Sequence, residues 1–356
     1  MTGKKILWVS EFPPTKGGIA DYSEEILKRM SEEHEIDVVS STGEEYDGDS
    51  SIEVIDSTPL SVSEWKEILS QDYDILNVQF PGNHLNSLAF ALQLYGFDGK
   101  SLIVLHEIPN RYKVYFLFRQ FNGIAFLTEN AREEFQERYR ILKILDNLNF
   151  YKLPYLGVSK PDISQEILEE KSEELNEESL KIVEPGFQVP RKQYEKVIDA
   201  VKILEEEGIE FQLIFAGGQH RSQDGHYAKK IQDKLNELDE ENWIYTGVLD
   251  SKEELEAYIQ LGDVAVLPYS KINQSGILTD VLKLGTIPIV SNVEGLRKPV
   301  EEFGGMVIQE DNPEELKKGI IKALKNPPEV NSEKIREELS WENNAEKHLE
   351  IYSRLL

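Results

Sequence analysis

The stretch from Gly262 to Asn292, GDVAVLPYSKINQSGILTDVLKLGTIPIVSN, constrains the fold of this chain more than any other. Val264 to Leu267 and Ile287 to Val290 are short apolar runs, and the segment between them has the helical period from Ser275 onward. A strand, a helix and a strand in this order predict two parallel strands joined by a right-handed crossover. The loop before the helix then lies at the carboxyl ends of the strands, where open α/β sheets bind ligands.

The predicted helix has two different faces. Its apolar stripe contains Ile277, Leu278, Val281, Leu282 and Leu284, and its other face contains Gly276, Thr279, Asp280 and Lys283. The first face is expected to pack and the second to be available to a ligand. Ser275 and Gly276 begin the helix with exposed N–H groups and the positive end of its dipole, which suit a phosphate. Asp280, one turn further on, can accept hydrogen bonds from a ribose diol, although a solvated Asp on a capped helix is the alternative.

The segment QSGILTDVLKLGTIPIVSN resembles the donor-binding segment of the retaining glycosyltransferases of family 4, which have the GT-B fold. In that family two acidic residues at a fixed spacing flank a glycine-containing loop, and a Gly-x-Pro-Val segment follows the second. Asp280, Gly285 and Pro288 match the second half of this pattern. The first acidic position falls on Ile272, where Asn273 or Gln274 is a candidate replacement. The resemblance implies donor contacts at Asn273, Gln274, Ser275, Gly276, Ile277 and Asp280.

The start of the chain contains a second candidate phosphate site. Ile6 to Ser10 has the pattern of a buried strand and is followed by EFPPTKGG and an amphipathic helix. Gly17 and Gly18 allow the backbone to approach a ligand closely, although a plain turn is the commoner explanation of two glycines. The run FPPTKGGIADYSEEIL resembles the first loop of family 4 enzymes, where the glycines border the donor phosphates and the acceptor.

Two polar side chains end predicted strands in the first half of the chain. Gln79 ends the strand that begins at Ile75, and His106 follows the strand Leu102 to Leu105. A lone His at a strand end is more often a structural cap than a catalyst. In LIVLHEI, however, His106 resembles a family histidine placed beside the donor sugar and the acceptor. We therefore assign Gln79 and His106 to the acceptor side.

The loop GFQVPRKQY resembles the family segment whose Arg and Lys bind the donor diphosphate. Lys192 occupies the Lys position, whereas Phe187 replaces the Arg and Gln193 the following Gly. Arg191 is close enough to supply the lost positive charge. Two solvated basic residues at a helix start are the alternative, but the helix dipole disfavours them there. The resemblance implies further donor contacts in two glycine turns and at the nucleobase loop, at Gly186, Gly217, Val248 and Leu249.

Strand-like and helical runs alternate along both halves of the chain, which predicts parallel sheets covered on both faces. Together with the resemblance, this pattern predicts an α/β GT-B architecture, with two doubly wound Rossmann-like domains facing a central cleft. Residues 1–175 are expected to form the acceptor-side domain and residues 176–335 the nucleotide-sugar domain. Residues 336–356 are predicted to be a helix that crosses back to the first domain. The Glu-rich stretch Asp162 to Glu178 is expected to be a solvated helix or linker near the boundary.

Composition limits the partners of the chain. A formal net charge of −27 disfavours nucleic acid as a partner. No apolar run approaches the ~20 residues that span a bilayer, and no signal peptide is evident, so the cytoplasm is the default compartment. Zero cysteines exclude disulfides and thiolate chemistry. Arg111 to Phe121 interleaves basic and aromatic residues, as in helices that lie in a membrane interface; an aromatic face in the core is the alternative that we favour. The oligomeric state is left open.

The resemblance implies transfer of a sugar from a UDP- or GDP-sugar to an acceptor hydroxyl, with the anomeric configuration retained. No cofactor besides this donor, and no metal ion, is expected. The acceptor is a glycan, a lipid-linked molecule or a small molecule. The candidate catalytic residues are His106, Lys192 and Asp280. Two alternatives remain: a nucleotide-sugar-binding protein without turnover, motivated by Ile272, Phe187 and Gln193, and a nucleotide-sugar epimerase of the same fold.

Overall fold

A computed structural model describes residues 3–15, 18–40, 46, 48, 51–56, 60–81, 85–108, 118–139, 148–154, 157–219, 225–272, 274–309 and 312–356. Contacts between residues divide the chain into two compact units. Unit 1 comprises Met1–Gly157 and Leu339–Leu356, and unit 2 comprises Val158–Glu338.

Unit 1 contains a parallel seven-stranded sheet in the order β3-β2-β1-β4-β5-β6-β7. The strands are β1 (Lys5–Val9), β2 (Glu35–Val39), β3 (Glu53–Asp56), β4 (Ile75–Phe80), β5 (Lys100–Leu105), β6 (Gly123–Phe126) and β7 (Asn149–Lys152). The helices that accompany them are Gly18–Met30, Val62–Leu69, Leu85–Tyr95, Glu129–Tyr139 and Trp341–Leu355. We call the first of these the N-terminal helix and the last the C-terminal helix.

Both faces of the unit 1 sheet are covered, because alternate residues of β1 belong to different core clusters. Ile6 and Trp8 pack with residues of the N-terminal and C-terminal helices. Leu7 and Val9 pack on the opposite face, with residues of the other three helices. A parallel sheet that is buried on both faces produces the near-continuous apolar strands seen in the sequence.

Unit 2 contains a parallel six-stranded sheet in the order β10-β9-β8-β11-β12-β13. The strands are β8 (Leu180–Pro185), β9 (Phe211–Ala216), β10 (Trp243–Tyr245), β11 (Val264–Leu267), β12 (Ile287–Ser291) and β13 (Met306–Ile308). The α-helices are Gln165–Glu173, Tyr194–Glu206, His226–Leu235, Lys252–Leu261, Gly276–Leu284, Glu294–Phe303, Pro313–Lys325 and Ser332–Glu338. We call Gly276–Leu284 the Ser275 helix, after its capping residue. Here too, neighbouring residues of β8, Ile182 and Val183, pack into different clusters on the two faces.

The predicted strands are confirmed, with shifts at their ends, and two edge strands were not predicted. The β7 segment NFYK has exposed and half-buried side chains, and β13 has three residues. An edge strand pairs on one side only and buries less of its surface, so its apolar pattern is weak.

Residues 158–175 belong to unit 2, whereas the sequence pattern predicted a boundary after residue 175. The helix Gln165–Glu173 is capped by Ser164, whose side chain accepts a hydrogen bond from the N–H of Ile167. The backbone N–H of Ser164 donates to the carboxylate of Glu253 at 2.7 Å, and the hydroxyl of Tyr258 donates to Glu174. These hydrogen bonds connect the Glu-rich stretch to the helix Lys252–Leu261 of unit 2.

Candidate functional site

The order of the strands in unit 2 reverses at β8, which lies between β9 and β11. The connections after β8 and β11 leave the same edge of the sheet in opposite directions, and such a reversal opens a crevice in which α/β proteins bind ligands. The first connection contains Gly186 and Lys192, and the second leads to Ser275. The topology therefore brings the two predicted donor loops to one place.

Contacts at Gly186 show that the two loops are adjacent. A Cβ atom built on Gly186 would lie 2.7 Å from Nζ of Lys192 and 3.0 Å from Cδ1 of Ile277, in the first turn of the Ser275 helix. Ser270 donates its backbone N–H to the carbonyl oxygen of Arg191 at 2.8 Å. Gly186 also has a φ of +90°, a conformation that other residues rarely adopt. A glycine is therefore required where the lysine and the helix meet.

A cavity of about 880 Å³ opens at this edge of unit 2. This volume is in the range of sites that bind small molecules and cofactors. The predicted donor residues that line it are Gly186, Arg191, Lys192, Gly217, Val248, Leu249 and Ile277. Its wall also includes Asp250, Ser251 and Lys252, which were not predicted from the sequence. Their only local signal was a helix start, since Ser251 caps the helix Lys252–Leu261 in a capping box.

Lys192 is a buried cation in the wall of the cavity. Its side chain is 5% exposed, and Nζ donates to the carbonyl oxygen of Pro185 at 3.1 Å. The ring centroids of Tyr194 and Tyr269 lie 5.7 and 5.4 Å from Nζ. Burial lowers the pKa of Lys192 to about 7, against the opposing field of Glu184. An arriving diphosphate would restore the charged form of this lysine.

Glu184 is the acidic neighbour of this lysine and was not predicted. It lies on β8, is 1% exposed, and neither carboxylate oxygen has a hydrogen-bond partner among the described residues. Burial raises the pKa of Glu184 well above its ordinary value, and the charge of Lys192 opposes that rise. The sequence signal was a single Glu in an otherwise apolar strand, LKIVEP.

The pKa of Lys192 predicts the pH dependence of donor binding. An anionic donor favours the protonated amine, so affinity should be highest below pH 7 and fall as the pH rises through about 7. Well above that value we expect a loss of up to about tenfold per pH unit. Isothermal titration calorimetry with a nucleotide sugar between pH 6 and 9 tests this expectation, with Lys192→Ala as the control. A profile equally steep in both proteins would contradict the assignment.

The first turn of the Ser275 helix has the predicted cap. The hydroxyl of Ser275 accepts a hydrogen bond from the backbone N–H of Leu278 at 3.2 Å, while Gly276 is exposed. The N–H groups at the start of a helix have no partner within it and attract anions. Gln274 is half-buried just before the cap. Asn273 lies outside the described residues.

The expectation that the second face of the Ser275 helix is available to a ligand is wrong for most of that face. Asp280 is 9% exposed and Lys283 is 1% exposed. The carboxylate of Asp280 pairs with Lys283 at 3.0 Å and with Lys252 at 3.4 Å. The carboxylate of Glu256 also pairs with Lys283, at 2.7 Å. The helix Lys252–Leu261 covers this face, and helical period alone cannot reveal a neighbour 20 to 30 residues away.

Gln193 has an unfavourable backbone conformation. Its φ of +55° is the one positive φ among non-glycine residues in the described part of the chain. The resemblance places a glycine at this position. A left-handed conformation costs a residue with a Cβ atom roughly 1–2 kcal/mol. A glycine would avoid this strain, but it also loses more conformational entropy on folding, so the net gain in stability is smaller than the strain. The strain is at the junction between Lys192 and the helix Tyr194–Glu206.

Gln193→Gly is expected to raise the free energy of unfolding by about 0.5–1 kcal/mol. Gln193→Ala keeps the strain and serves as the matched control. Chemical denaturation followed by circular dichroism measures both. The explanation fails if the two variants are equally stable.

The candidate residues of unit 1 lie at the carboxyl edge of its sheet. Gly18 begins the N-terminal helix, and a Cβ built there meets nothing within 4 Å; Gly17 lies outside the described residues. Gln79 is fully buried in β4 and accepts a hydrogen bond from Nε2 of His106 at 2.8 Å. Burial lowers the pKa of His106 to about 4, so its ring is neutral at pH 7. Gln79 can therefore act on a ligand only through other groups such as His106.

Residues 111–117 of the predicted membrane segment lie outside the described residues. At its end, Phe118 and Phe121 are buried. The ring of Phe118 packs against Phe135 and Tyr139, at centroid distances of 5.1 and 6.0 Å. These contacts agree with the alternative of an aromatic face in the core. In the part of the chain that the structure describes, no helix is both long enough and apolar enough to cross a bilayer.

Several solved structures share this fold over almost their whole length. A glycosyltransferase from Rickettsia africae has a TM-score of 0.77 and 16% identity, covering 99% of this chain and 98% of that chain. Sucrose-phosphate synthase from Thermosynechococcus elongatus has a TM-score of 0.70 and 16% identity, covering 99% of both chains. HepE from Anabaena, in complex with UDP and glucose, has a TM-score of 0.70 and 14% identity, covering 99% of this chain and 100% of that chain. The predicted fold is confirmed: the chain has the two parallel-sheet α/β domains of GT-B glycosyltransferases.

The sequence places the chain in a family. The model of the family described as glycosyl transferases group 1 matches residues 165–348, which is more than half of the chain. This protein therefore belongs to the group 1 glycosyl transferases. The comparison with curated proteins found no match.

Proposed function

We propose that this protein transfers a sugar from a UDP- or GDP-sugar to an acceptor hydroxyl, with the anomeric configuration retained and without a metal ion. The observation that carries the proposal is the cavity in unit 2 that joins Lys192 to the first turn of the Ser275 helix. Membership of the family supports glycosyl transfer. The Anabaena protein of the same fold was crystallised with UDP and with UDP-glucose, which supports a nucleotide sugar as the donor.

The chemical role of the site follows from charge. When the bond between the anomeric carbon and the diphosphate oxygen breaks, negative charge develops on the leaving diphosphate. Lys192 and Arg191 line the cavity together with Ile277, in the first turn of the Ser275 helix. Donors fixed where charge develops stabilise the transition state without having to reorganise. Burial strengthens this effect, because water competes less with a buried lysine for the anion.

The remaining donor contacts are assigned as the resemblance implies. Val248 and Leu249, which line the same cavity, receive the nucleobase. Asp280 binds the ribose diol in exchange for its ion pair with Lys252, whose side chain is 63% exposed and can move away. His106 contacts the sugar and the acceptor. The acceptor is a glycan, a lipid-linked molecule or a small molecule.

One assay tests the proposal against its rivals. Purified protein is incubated with a panel of UDP-, GDP- and ADP-sugars, with and without candidate acceptors, and released nucleotide is measured. We expect acceptor-dependent release that persists in EDTA and is strongly reduced in Lys192→Ala. NMR of the product should show the anomeric configuration of the donor.

Other outcomes would overturn parts of the proposal. Binding of a nucleotide sugar without release across the panel would support the non-catalytic protein, the alternative motivated by Ile272, Phe187 and Gln193. Conversion of the sugar with its nucleotide still attached would indicate an epimerase. Inverted product, or activity lost in EDTA and restored by a divalent cation, would disprove retention or metal independence.

A further inference from the structure

A continuous chain of hydrogen bonds in unit 1 connects His106 to the C-terminal helix. From His106 it runs through two side chains of β4: Nε2 of His106 contacts Oε1 of Gln79 at 2.8 Å, and Nε2 of Gln79 donates to Oδ1 of Asn77 at 2.6 Å. Gln79 and Asn77 are two residues apart on one strand and so point to the same face of the sheet. That face is covered by the N-terminal and C-terminal helices.

On the C-terminal helix the chain branches. Nδ2 of Asn77 donates to the hydroxyl of Tyr352 at 2.6 Å and contacts Nδ1 of His348 at 3.4 Å. Nε2 of His348 contacts the hydroxyl of Tyr22 at 2.9 Å, and this hydroxyl donates to Oδ1 of Asn344 at 3.2 Å. Asn77, His348 and Tyr22 are fully buried. Because these groups are shielded from bulk solvent, the hydrogen bonds that they make with one another satisfy them.

The direction of each hydrogen bond follows from the groups present. An amide nitrogen has no lone pair, so Nδ1 of His348 accepts from Asn77. Burial lowers the pKa of His348 to about 3, so its neutral ring carries its single proton on Nε2 and donates to Tyr22. At the other end Gln79 presents its oxygen to His106, whose neutral ring must then carry its proton on Nε2. Every bond from His106 to Asn77 points the same way.

This direction determines what His106 offers to a ligand. With the proton on Nε2, Nδ1 keeps its lone pair, and it has no partner in the part of the chain that the structure describes. The ring itself is held edge-on against Tyr22, with centroids 5.1 Å apart and planes at 84°. Tyr22 is the same residue that accepts from His348. His348 thus contacts both groups that restrain His106, the amide chain and the tyrosine.

We propose that His348 is a positioning residue for His106. It fixes the direction of the buried hydrogen-bond chain and so keeps Nδ1 of His106 unprotonated. This nitrogen can then accept a hydrogen bond from a hydroxyl of the donor sugar or of the acceptor substrate. The use of that lone pair by a substrate rests on the proposed glycosyl transfer. The tautomer of His106 follows from the hydrogen bonds alone and does not rest on that proposed function. Tyr352 cannot set the direction, because a hydroxyl can either donate to an amide oxygen or accept from an amide nitrogen.

The reverse direction shows why His348 matters. If Asn77 turned its oxygen toward the C-terminal helix, its nitrogen would face Gln79, and Gln79 would turn its nitrogen toward His106. The ring of His106 would then have to accept at Nε2 and move its proton to Nδ1. Nδ1 of His106 would then carry the proton and could no longer accept a hydrogen bond from a ligand. Nδ1 of His348 blocks this state because it cannot donate while Nε2 donates to Tyr22.

Nitrogen-15 NMR of histidine-labelled protein tests the inference directly, because the shifts of Nδ1 and Nε2 identify the tautomer. We expect the wild type to show the Nε2–H form at both His106 and His348. His348→Leu, and more mildly Tyr22→Phe, should make the Nδ1–H form of His106 appear. Tyr352→Phe is the matched control, since it removes a hydroxyl that contacts the same Asn77 from the same helix, and it should leave the tautomer unchanged. Melting temperatures establish that each variant is folded; if His348→Leu does not fold, Tyr22→Phe decides the question.

A wild-type His106 protonated on Nδ1, or equal effects of Tyr22→Phe and Tyr352→Phe, would overturn the inference. In the transfer assay, His348→Leu should lower kcat by roughly tenfold to a hundredfold, the loss that a small misplacement of a reacting group produces, and Tyr22→Phe should lower it by less. KM for the donor should change little, because the diphosphate contacts are in unit 2. The NMR measurement needs neither donor nor acceptor, so a failure of the proposed function leaves it decisive.

Discussion

Lys192→Ala is expected to weaken the binding of a nucleotide sugar by about tenfold to a hundredfold, as loss of a hydrogen bond to a charged group worth about 1.5–3 kcal/mol implies. The loss is expected to be large because of where the lysine lies. Lys192 is buried in the cavity wall, beside Gly186 and the first turn of the Ser275 helix. Arg191 and Lys252 line the same cavity, but both are exposed, and water screens an exposed charge more than a buried one. Isothermal titration calorimetry measures the change.

Two controls separate charge from packing. Lys192→Met keeps most of the side-chain volume and should lose as much affinity as the alanine variant. Lys196→Ala removes a lysine one turn later, whose Nζ donates to the side chain of Gln193 at 2.9 Å, and should bind as the wild type does. Unchanged affinity in Lys192→Ala would refute the assignment of the diphosphate site.

Lys283→Met is expected to lower the free energy of unfolding by about 3–5 kcal/mol, the cost of removing the buried partner of two buried carboxylates. Lys283 is 1% exposed and neutralises two carboxylates, those of Glu256 and Asp280. Methionine fills nearly the same volume, so the loss measures charge and not a cavity. Scanning calorimetry should show a lower transition temperature for unit 2.

Lys252 is the matched control for this prediction, because it pairs with the same two carboxylates, at 3.5 and 3.4 Å. Its side chain is 63% exposed, and exposed ion pairs contribute at most about 1 kcal/mol. Lys252→Met should therefore destabilise the protein far less. If the two variants lose the same stability, burial is not what makes Lys283 important.

The sequence predicted those parts of the fold that depend on local chemistry. Short apolar runs that alternate with helical segments identified the central strands of both sheets. The strand β11 was predicted with its observed bounds, Val264–Leu267. The Ser275 cap was also predicted, because a helix cap depends on a few consecutive residues. The edge strands β7 and β13 were missed because pairing on one side leaves little apolar pattern.

The candidate site was predicted in part. Lys192, Gly186 and Ile277 do meet in one cavity, as the two family-like loops implied. Asp280 was expected on a free face, and instead it is paired with two lysines. Glu184, whose charge opposes the lowering of the Lys192 pKa by burial, was not predicted, since a single Glu in an apolar strand forms no recognisable sequence pattern.

What the sequence determined by itself is the order of strands, helices and turns, because period, capping and glycine conformation act over a few residues. The tertiary structure decided the charge and protonation of the functional groups. The pKa of Lys192, the pairing of Asp280 and the proton position on His106 each depend on side chains that come from distant segments. Burial makes these long-range contacts decisive, because without water a polar group takes the state that its neighbours impose.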